Sequence, residues 1–189
     1  MKGPRIRAAT AADAPAIARV HVQAWRESYR GLVPDALLDA LSVERNARMW
    51  ASIIDSGDRV VVHVVEAAAS EDTGQEAGEV SGIVGFGCAG DARDKALGSS
   101  GEVTAIYLLD RVKRRGLGRT LFGSLMRALA ARGHAAVGLW VLIANEGTRR
   151  FYEAQGGRPG PTRVVNGTHG ELNEIAYRWD DLARFSLDA

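Results

Sequence analysis

The sequence predicts a mixed α/β fold, and three observations carry that expectation. Short extended apolar runs alternate with amphipathic stretches of helical period in the order β, α, α, β, β, β, α, β, α, β, β. No linker and no internal repeat divides the 189 residues, so residues 1–189 read as one domain of ordinary size. From Glu102 to Leu121 an apolar strand runs into a basic, glycine-containing turn that opens a helix.

Each element has a local signal. Arg5 to Ala9 is a short first strand, and Thr10 with Asp13 forms a capping-box pattern ahead of the first helix. Ile17, Val20, His21, Ala24 and Tyr29 share one face of that helix until Gly31 interrupts it. Pro34 then starts a second helix presenting Leu37, Leu38, Leu41, Val43, Met49, Trp50 and Ile53. Arg59 to Val65 and Val80 to Cys88 are rich enough in β-branched and apolar residues to be strands. The small, acidic, turn-rich stretch from Ala67 to Gly78 joins them as a flexible hairpin connection. Glu102 to Leu109 is the next strand, followed by a helix over Gly116 to Arg132 and an apolar strand over Ala136 to Ile143. Asn145 starts a helix that Gly156-Gly157 ends. Thr162 to Asn166 and Glu171 to Trp179 are two strands around the turn residues Gly167-Thr168-His169-Gly170.

The basic turn is built to hold phosphate. Backbone N–H groups around Gly116 and Gly118 can converge on an anion, because missing Cβ atoms allow close approach and the helix N-terminus adds partial positive charge. Arg114, Arg115 and Arg119 add side-chain charge there; the alternative is a solvated basic surface. A P-loop would need a Lys directly after Gly118, and a dinucleotide fingerprint would need glycine where Leu121 stands, so both nucleotide motifs are disfavoured.

Composition narrows the function classes. A formal net charge of +1 gives no global footprint for nucleic acid or membranes, so an anion site must be local. Cys88 stands alone, which excludes an internal disulfide framework and a multi-cysteine zinc site. His21, His63, His134 and His169 lack paired metal-ligand spacing, and no Gly-x-Ser-x-Gly elbow is present. Met1 to Thr10 has no apolar signal core and no run reaches the ~18 apolar residues of a membrane span, so a cytoplasmic protein is expected.

The element order, the Lys113-Arg-Arg-Gly-Leu-Gly118 turn and the Asn145-Glu-Gly-Thr-Arg-Arg-Phe-Tyr152 run together resemble the GNAT superfamily of acyl-CoA-dependent N-acetyltransferases. The resemblance covers almost the whole chain. The family turn opens with Gln or Arg where this sequence has Lys113, a mild departure because main-chain N–H groups make most of the family's pyrophosphate contacts. The resemblance implies a mostly antiparallel sheet of about seven strands flanked by about four helices, splayed between strands four and five into a cofactor cleft.

By the same resemblance, acetyl-CoA would lie along Ile106, Tyr107 and Leu108, its pantetheine amides completing the open strand edge. The pyrophosphate would reach Lys113, Arg114, Arg115, Gly116, Leu117 and Gly118, with Arg119 and Thr120 opening the helix. Asn145 matches a cofactor-contacting position and is equally readable as a plain helix N-cap.

Tyr152 matches the family's tyrosine and is the expected general acid, since a phenol of pKa ~10 stays protonated at neutral pH and can donate to a departing thiolate. A core aromatic is the alternative. Some relatives place a glutamate where Trp140 stands here, so Glu102 is the candidate base through a water, or else an exposed strand-end carboxylate.

The family's acceptor pocket directs attention to Trp25, Glu27, Tyr29 and Arg30. Glu27 suits a cationic amine and Arg30 a carboxylate, while Trp25 and Tyr29 share a helix face that could equally be core. The expected reaction moves acetyl from acetyl-CoA to a primary amine of a small molecule or a protein N-terminus, without a metal. A non-catalytic acyl-CoA-binding module is the alternative, and a homodimer is expected only by analogy with relatives. Nucleic acid is disfavoured as a partner because glycines interrupt the basic run.

Overall fold

The computed structural model of the protein describes residues 3–67, 82–167 and 170–185. In these stretches the chain forms β1 (Arg5–Ala8), α1 (Ala14–Tyr29), α2 (Asp35–Asp39), α3 (Val43–Asp55), β2 (Val60–Glu66), β3 (Ile83–Asp91) and β4 (Gly101–Leu108). They are followed by α4 (Leu117–Ala131), β5 (Val137–Leu142), α5 (Glu146–Ala154), β6 (Arg158–Gly167) and β7 (Gly170–Trp179). The strands make one sheet in the order β1-β2-β3-β4-β5-β7-β6, antiparallel throughout except for β4 and β5, which are parallel.

The expected class is therefore observed, with corrections at particular elements. The second helix is two helices, because Ser42 leaves helical geometry (φ −121°, ψ 126°) and its hydroxyl caps a new start by accepting from the Arg45 N–H at 3.2 Å. The apolar period continues across that break, so hydrophobic spacing alone does not reveal it. The third strand runs on to Asp91 because its ladder with β2 extends to Val60↔Gly90 and its ladder with β4 to Asp91↔Gly101. Of the expected connection Ala67 to Gly78, residues 68–78 lie outside the described residues, as do Val80, Thr168 and His169. The sixth strand begins at Arg158 rather than Thr162, and its register shifts between Pro159 and Thr162. As the last strand of the sheet it tolerates prolines that a central strand would not.

Local chemistry fixes the helices on the sheet. Asp13 accepts from the Thr10 N–H at 2.8 Å, as the capping pattern implies, and pairs with Arg7 of β1 at 2.7 Å, tying helix start to edge strand. Alternation along β2 separates two layers. Val62 and Val64 join the cluster under α1 and α3 with Ile17, Trp50 and Phe86, while His63 meets Ser124 of α4 at 2.9 Å. Gly87 lets α4 approach closely, since a Cβ there would stand 2.6 Å from Leu125 Cδ1. Phe122, Tyr152, Tyr177 and Trp179 form the core beneath α4 and α5. No helix among the described residues is long and apolar enough to cross a membrane.

Candidate active site

The sheet opens where β4 leaves β5. Parallel pairing is confined to Gly101↔Val137 and Glu102↔Gly138, after which β5 continues alongside β7 and β4 alongside β3. One edge of β4 beyond Glu102 is thus left without a β5 partner. A bulge sharpens the bend: Cys88 and Ala89 face Ala105 and Val103, so Thr104 is unmatched, and its hydroxyl donates to the Cys88 carbonyl at 3.3 Å. Cys88 is buried, and burial pushes its thiol pKa up, which suits an inert packing role.

At the far end of β4 the basic turn has the geometry of an anion nest. Lys113 is extended, Arg114 adopts a left-handed φ of 64° and Gly116 one of 81°, and α4 begins at Leu117. Arg114 is the only positive-φ residue other than glycine among the described residues, a local strain of the kind held at ligand sites. No side chain caps the N-terminus of α4, so its first N–H groups face outward together with the helix dipole. The turn is braced from α1. Glu27 accepts the Asp110 N–H at 2.8 Å, and Lys113 reaches Asp110 at 2.6 Å and the Ser28 hydroxyl at 3.1 Å.

Two cavities meet in the splay. One, of about 640 Å³, runs along Ile106 and Leu108 to Arg114, Gly116, Gly118 and Arg119. The other, of about 300 Å³, is walled by Trp25, Tyr29, Tyr107 and Trp140, with Glu102 and Glu174 among its polar groups. Ile106, Leu108, Asn145 and Tyr152 line both, so the two open into one another.

Tyr152 stands at that junction, 5% exposed, and burial raises its phenol pKa well above the ordinary value, which keeps its proton in place. The Tyr29 and Tyr107 hydroxyls lie 3.3 Å apart on the second wall, and burial raises both of their pKa values as well. Asn145 does cap α5, its side-chain oxygen accepting from Thr148 N–H at 3.2 Å, and it lines the junction too.

Of the remaining expected residues, Trp25 and Tyr29 line the second cavity, edge to face at 4.9 Å. Glu27 and Arg30 are not brought to either cavity; Glu27 is engaged by the turn. Tyr107 faces the second cavity rather than the first, Leu117 packs into the core under α1, and Arg115 lines neither cavity. Thr120 turns its hydroxyl back to the Gly116 carbonyl at 3.3 Å.

Glu102 is buried rather than exposed, and Arg93 holds it with its backbone N–H at 2.9 Å, Nε at 3.1 Å and Nη2 at 2.8 Å. Arg93, Arg163 and Glu174 carry no motif and are absent from the sequence-based site. Arg163 lies over the Trp140 ring at 4.1 Å and pairs with Glu174 and Asp94, each at 2.7 Å. The Arg163↔Glu174 register is the one signal that hairpin counting could have supplied. Among the described residues no three His, Cys, Asp or Glu side chains cluster as a metal-ligand set.

Comparison with known proteins agrees with this geometry. Residues 95–163 match the FR47-like protein family. The chain is 30% identical over 182 residues to the uncharacterized N-acetyltransferase YuaI of Bacillus subtilis strain 168, covering 94% of each. Among solved structures it resembles the PaiA N-acetyltransferase of Thermoplasma acidophilum in complex with coenzyme A (TM-score 0.67, 15% identity, 94% of this chain and 100% of that one). It also resembles yncA, a putative acetyltransferase of Salmonella typhimurium with acetyl-CoA (TM-score 0.67, 17% identity, 95% and 94%). The likeness to these two structures is one of fold. The chain belongs to the GNAT superfamily of N-acetyltransferases. It is accordingly an acyltransferase enzyme.

Proposed function

We propose that the protein transfers the acetyl group of acetyl-CoA directly to a primary amine that enters the cavity walled by Trp25, Tyr29, Tyr107 and Trp140. The observation that carries this reading is the meeting of two separate cavities at Tyr152, one ending in an anion nest and the other in an aromatic pocket. A donor and an acceptor can therefore approach one reacting point from opposite sides.

Acetyl-CoA supplies a thioester carbonyl and a thiolate leaving group. The open edge of β4 offers backbone partners to the amides of its arm, and the nest at Lys113 to Gly118 receives its pyrophosphate. Arg114 and Arg119 line that groove, while Arg115 and Thr120 flank it. Transfer forms an amide C–N bond and breaks the C–S bond, with Tyr152 giving its proton to the sulfur. Glu102, at the apex where the two strands part, takes the amine's proton through a water, with Arg93 fixing its orientation. The aromatic walls suit the carbon skeleton of an amine on a small molecule or at a protein N-terminus.

A screen of small amines and N-terminal peptides with acetyl-CoA, followed by mass spectrometry, tests this. A mass gain of one acetyl group on an amine, with release of free CoA thiol, is the expected result. Tight acetyl-CoA binding without product on any amine would contradict the acceptor assignment.

A further inference from the structure

The aromatic cavity carries a charge pattern that bears on which amine it takes. Its charged lining is Arg93, Glu102, Lys113, Arg163 and Glu174. Arg93 is matched by Glu102 at 2.8 Å and Lys113 by Asp110 at 2.6 Å, so these pairs cancel. Arg163 instead stands between two carboxylates, Glu174 and Asp94, each at 2.7 Å, and this cluster keeps a net negative charge. A carboxylate on the acceptor has no counterpart here, because each guanidinium is already engaged by an acid.

Both contacts from Arg163 fall on Oε2 of Glu174, which leaves Oε1 for another donor. The Glu174 side chain is 19% exposed, so a cation held there is partly shielded from water and attracted more strongly than at an open surface. Tyr29 stands within electrostatic reach of both Glu174 and Tyr152. The rings of Trp25, Tyr29 and Tyr107 form a corner with centroids 4.9 to 6.4 Å apart. Such a corner packs methylene groups, and its ring faces attract a cation. Register separates the two carboxylates. Glu102 pairs with Gly138 near the start of β5 and Glu174 with Leu142 at its end, so Glu174 lies away from the apex where the strands part.

We infer that the acceptor is a linear aliphatic diamine, its near amine reacting beside Tyr152 and its far ammonium held by Glu174. The inference rests on the acceptor reading above and names the class of amine. The near nitrogen gives up a proton and gains the acetyl group as CoA leaves as the thiol, and the far nitrogen keeps its charge throughout. Glu174 is therefore the residue that sets specificity, with Arg163 positioning it.

Steady-state kinetics with acetyl-CoA and linear diamines from propanediamine to octanediamine, each beside the monoamine and the ω-amino acid of the same carbon number, test this. A diamine is expected to exceed its matched monoamine by about tenfold or more in kcat/KM, the equivalent of one charge-assisted hydrogen bond, with the amino acid below both. Glu174→Gln should bring the diamine-to-monoamine ratio toward one, chiefly by raising the KM of the diamine. Asp94→Asn removes the same charge from the same cluster without touching the cavity lining, and should keep most of the preference. Unaltered melting curves confirm that both variants fold. Diamines turned over no better than monoamines, or a ratio that Glu174→Gln leaves intact or that both variants lower equally, overturn the diamine assignment alone. Absence of product from every amine, with acetyl-CoA still bound, overturns the acceptor reading beneath it.

Discussion

Replacing Tyr152 by phenylalanine is expected to lower kcat by about 10²- to 10⁴-fold, the range a positioned general acid contributes, while acetyl-CoA affinity changes by less than about twofold. The substitution keeps the ring. That ring packs 6.0 Å from both Phe122 and Trp179 in the core beneath α4 and α5, so stability should be nearly preserved. What is lost is a hydroxyl at the point where the two cavities join. Burial raises the Tyr152 pKa, so the proton stays available through the neutral and mildly alkaline range. The wild-type kcat should therefore show no alkaline decline from this group. Steady-state kinetics with the acceptor found in the amine screen, alongside direct binding of acetyl-CoA, separates the two effects. An unchanged kcat would remove Tyr152 from the chemistry and leave it a core aromatic.

Stability is expected to fall by about 2 kcal/mol between pH 7 and pH 5 on account of His21, a loss of roughly 4 to 8 °C in melting temperature. His21 is packed among Trp25, Trp50, Phe86 and Tyr107, and its Nδ1 accepts from the Trp50 indole N–H at 3.1 Å. Burial depresses its pKa from 6.5 to about 4, with Asn46 opposing the shift. The folded protein therefore holds the ring neutral while the unfolded chain takes up a proton below pH 6.5. This contribution is complete above that pH and is lost as pH falls toward 4. His63, also depressed chiefly by burial, adds a loss of the same sign.

His21→Gln keeps an acceptor for Trp50 and removes the titration, so its melting temperature should depend less on pH between 7 and 5 than that of the wild type. Equal slopes would show that His21 is not the titrating group. The pair has a bearing on the candidate site as well, because His21 stacks on Tyr107, a wall of the aromatic cavity, at 5.4 Å and 26°.

Much of the fold was legible because its signals are local. The β-branched run at β2, the Thr10–Asp13 cap and the glycines closing α5 each dictate structure through their own neighbours. The break between α2 and α3 was not, since Leu37 through Ile53 keep an apolar period across Ser42, where extended backbone and a hydroxyl contact to Arg45 divide them. The nest at Gly116 could be read from glycine and helix polarity, but the left-handed Arg114 could not, because no residue type announces it. The splay came from resemblance rather than from composition, as register between distant strands is not a local property.

The site divides in the same way. Lys113, Arg114, Gly116 and Gly118, with Asn145 and Tyr152, come from two contiguous motifs and line the joined cavities, whereas Arg115 and Leu117 of the same motifs do not. Arg93 was missed because its partnership with Glu102 depends on a loop folding back over nine residues of sequence. Glu27 was expected at the acceptor, yet the Asp110 N–H has first claim on it. That N–H lies 83 residues further along the chain.

The melting temperature of the protein with saturating acetyl-CoA, compared with ADP, tests the central claim most directly. At about 100 times its dissociation constant a ligand of the folded state adds about 2.7 kcal/mol, or roughly 5 to 11 °C for a domain of this size. The account predicts a shift of that order with acetyl-CoA and a smaller one with ADP, which reaches the nest but not the edge of β4. No shift with acetyl-CoA, together with no heat of binding, would contradict the cofactor cleft, and the roles of Tyr152 and Glu102 would fall with it.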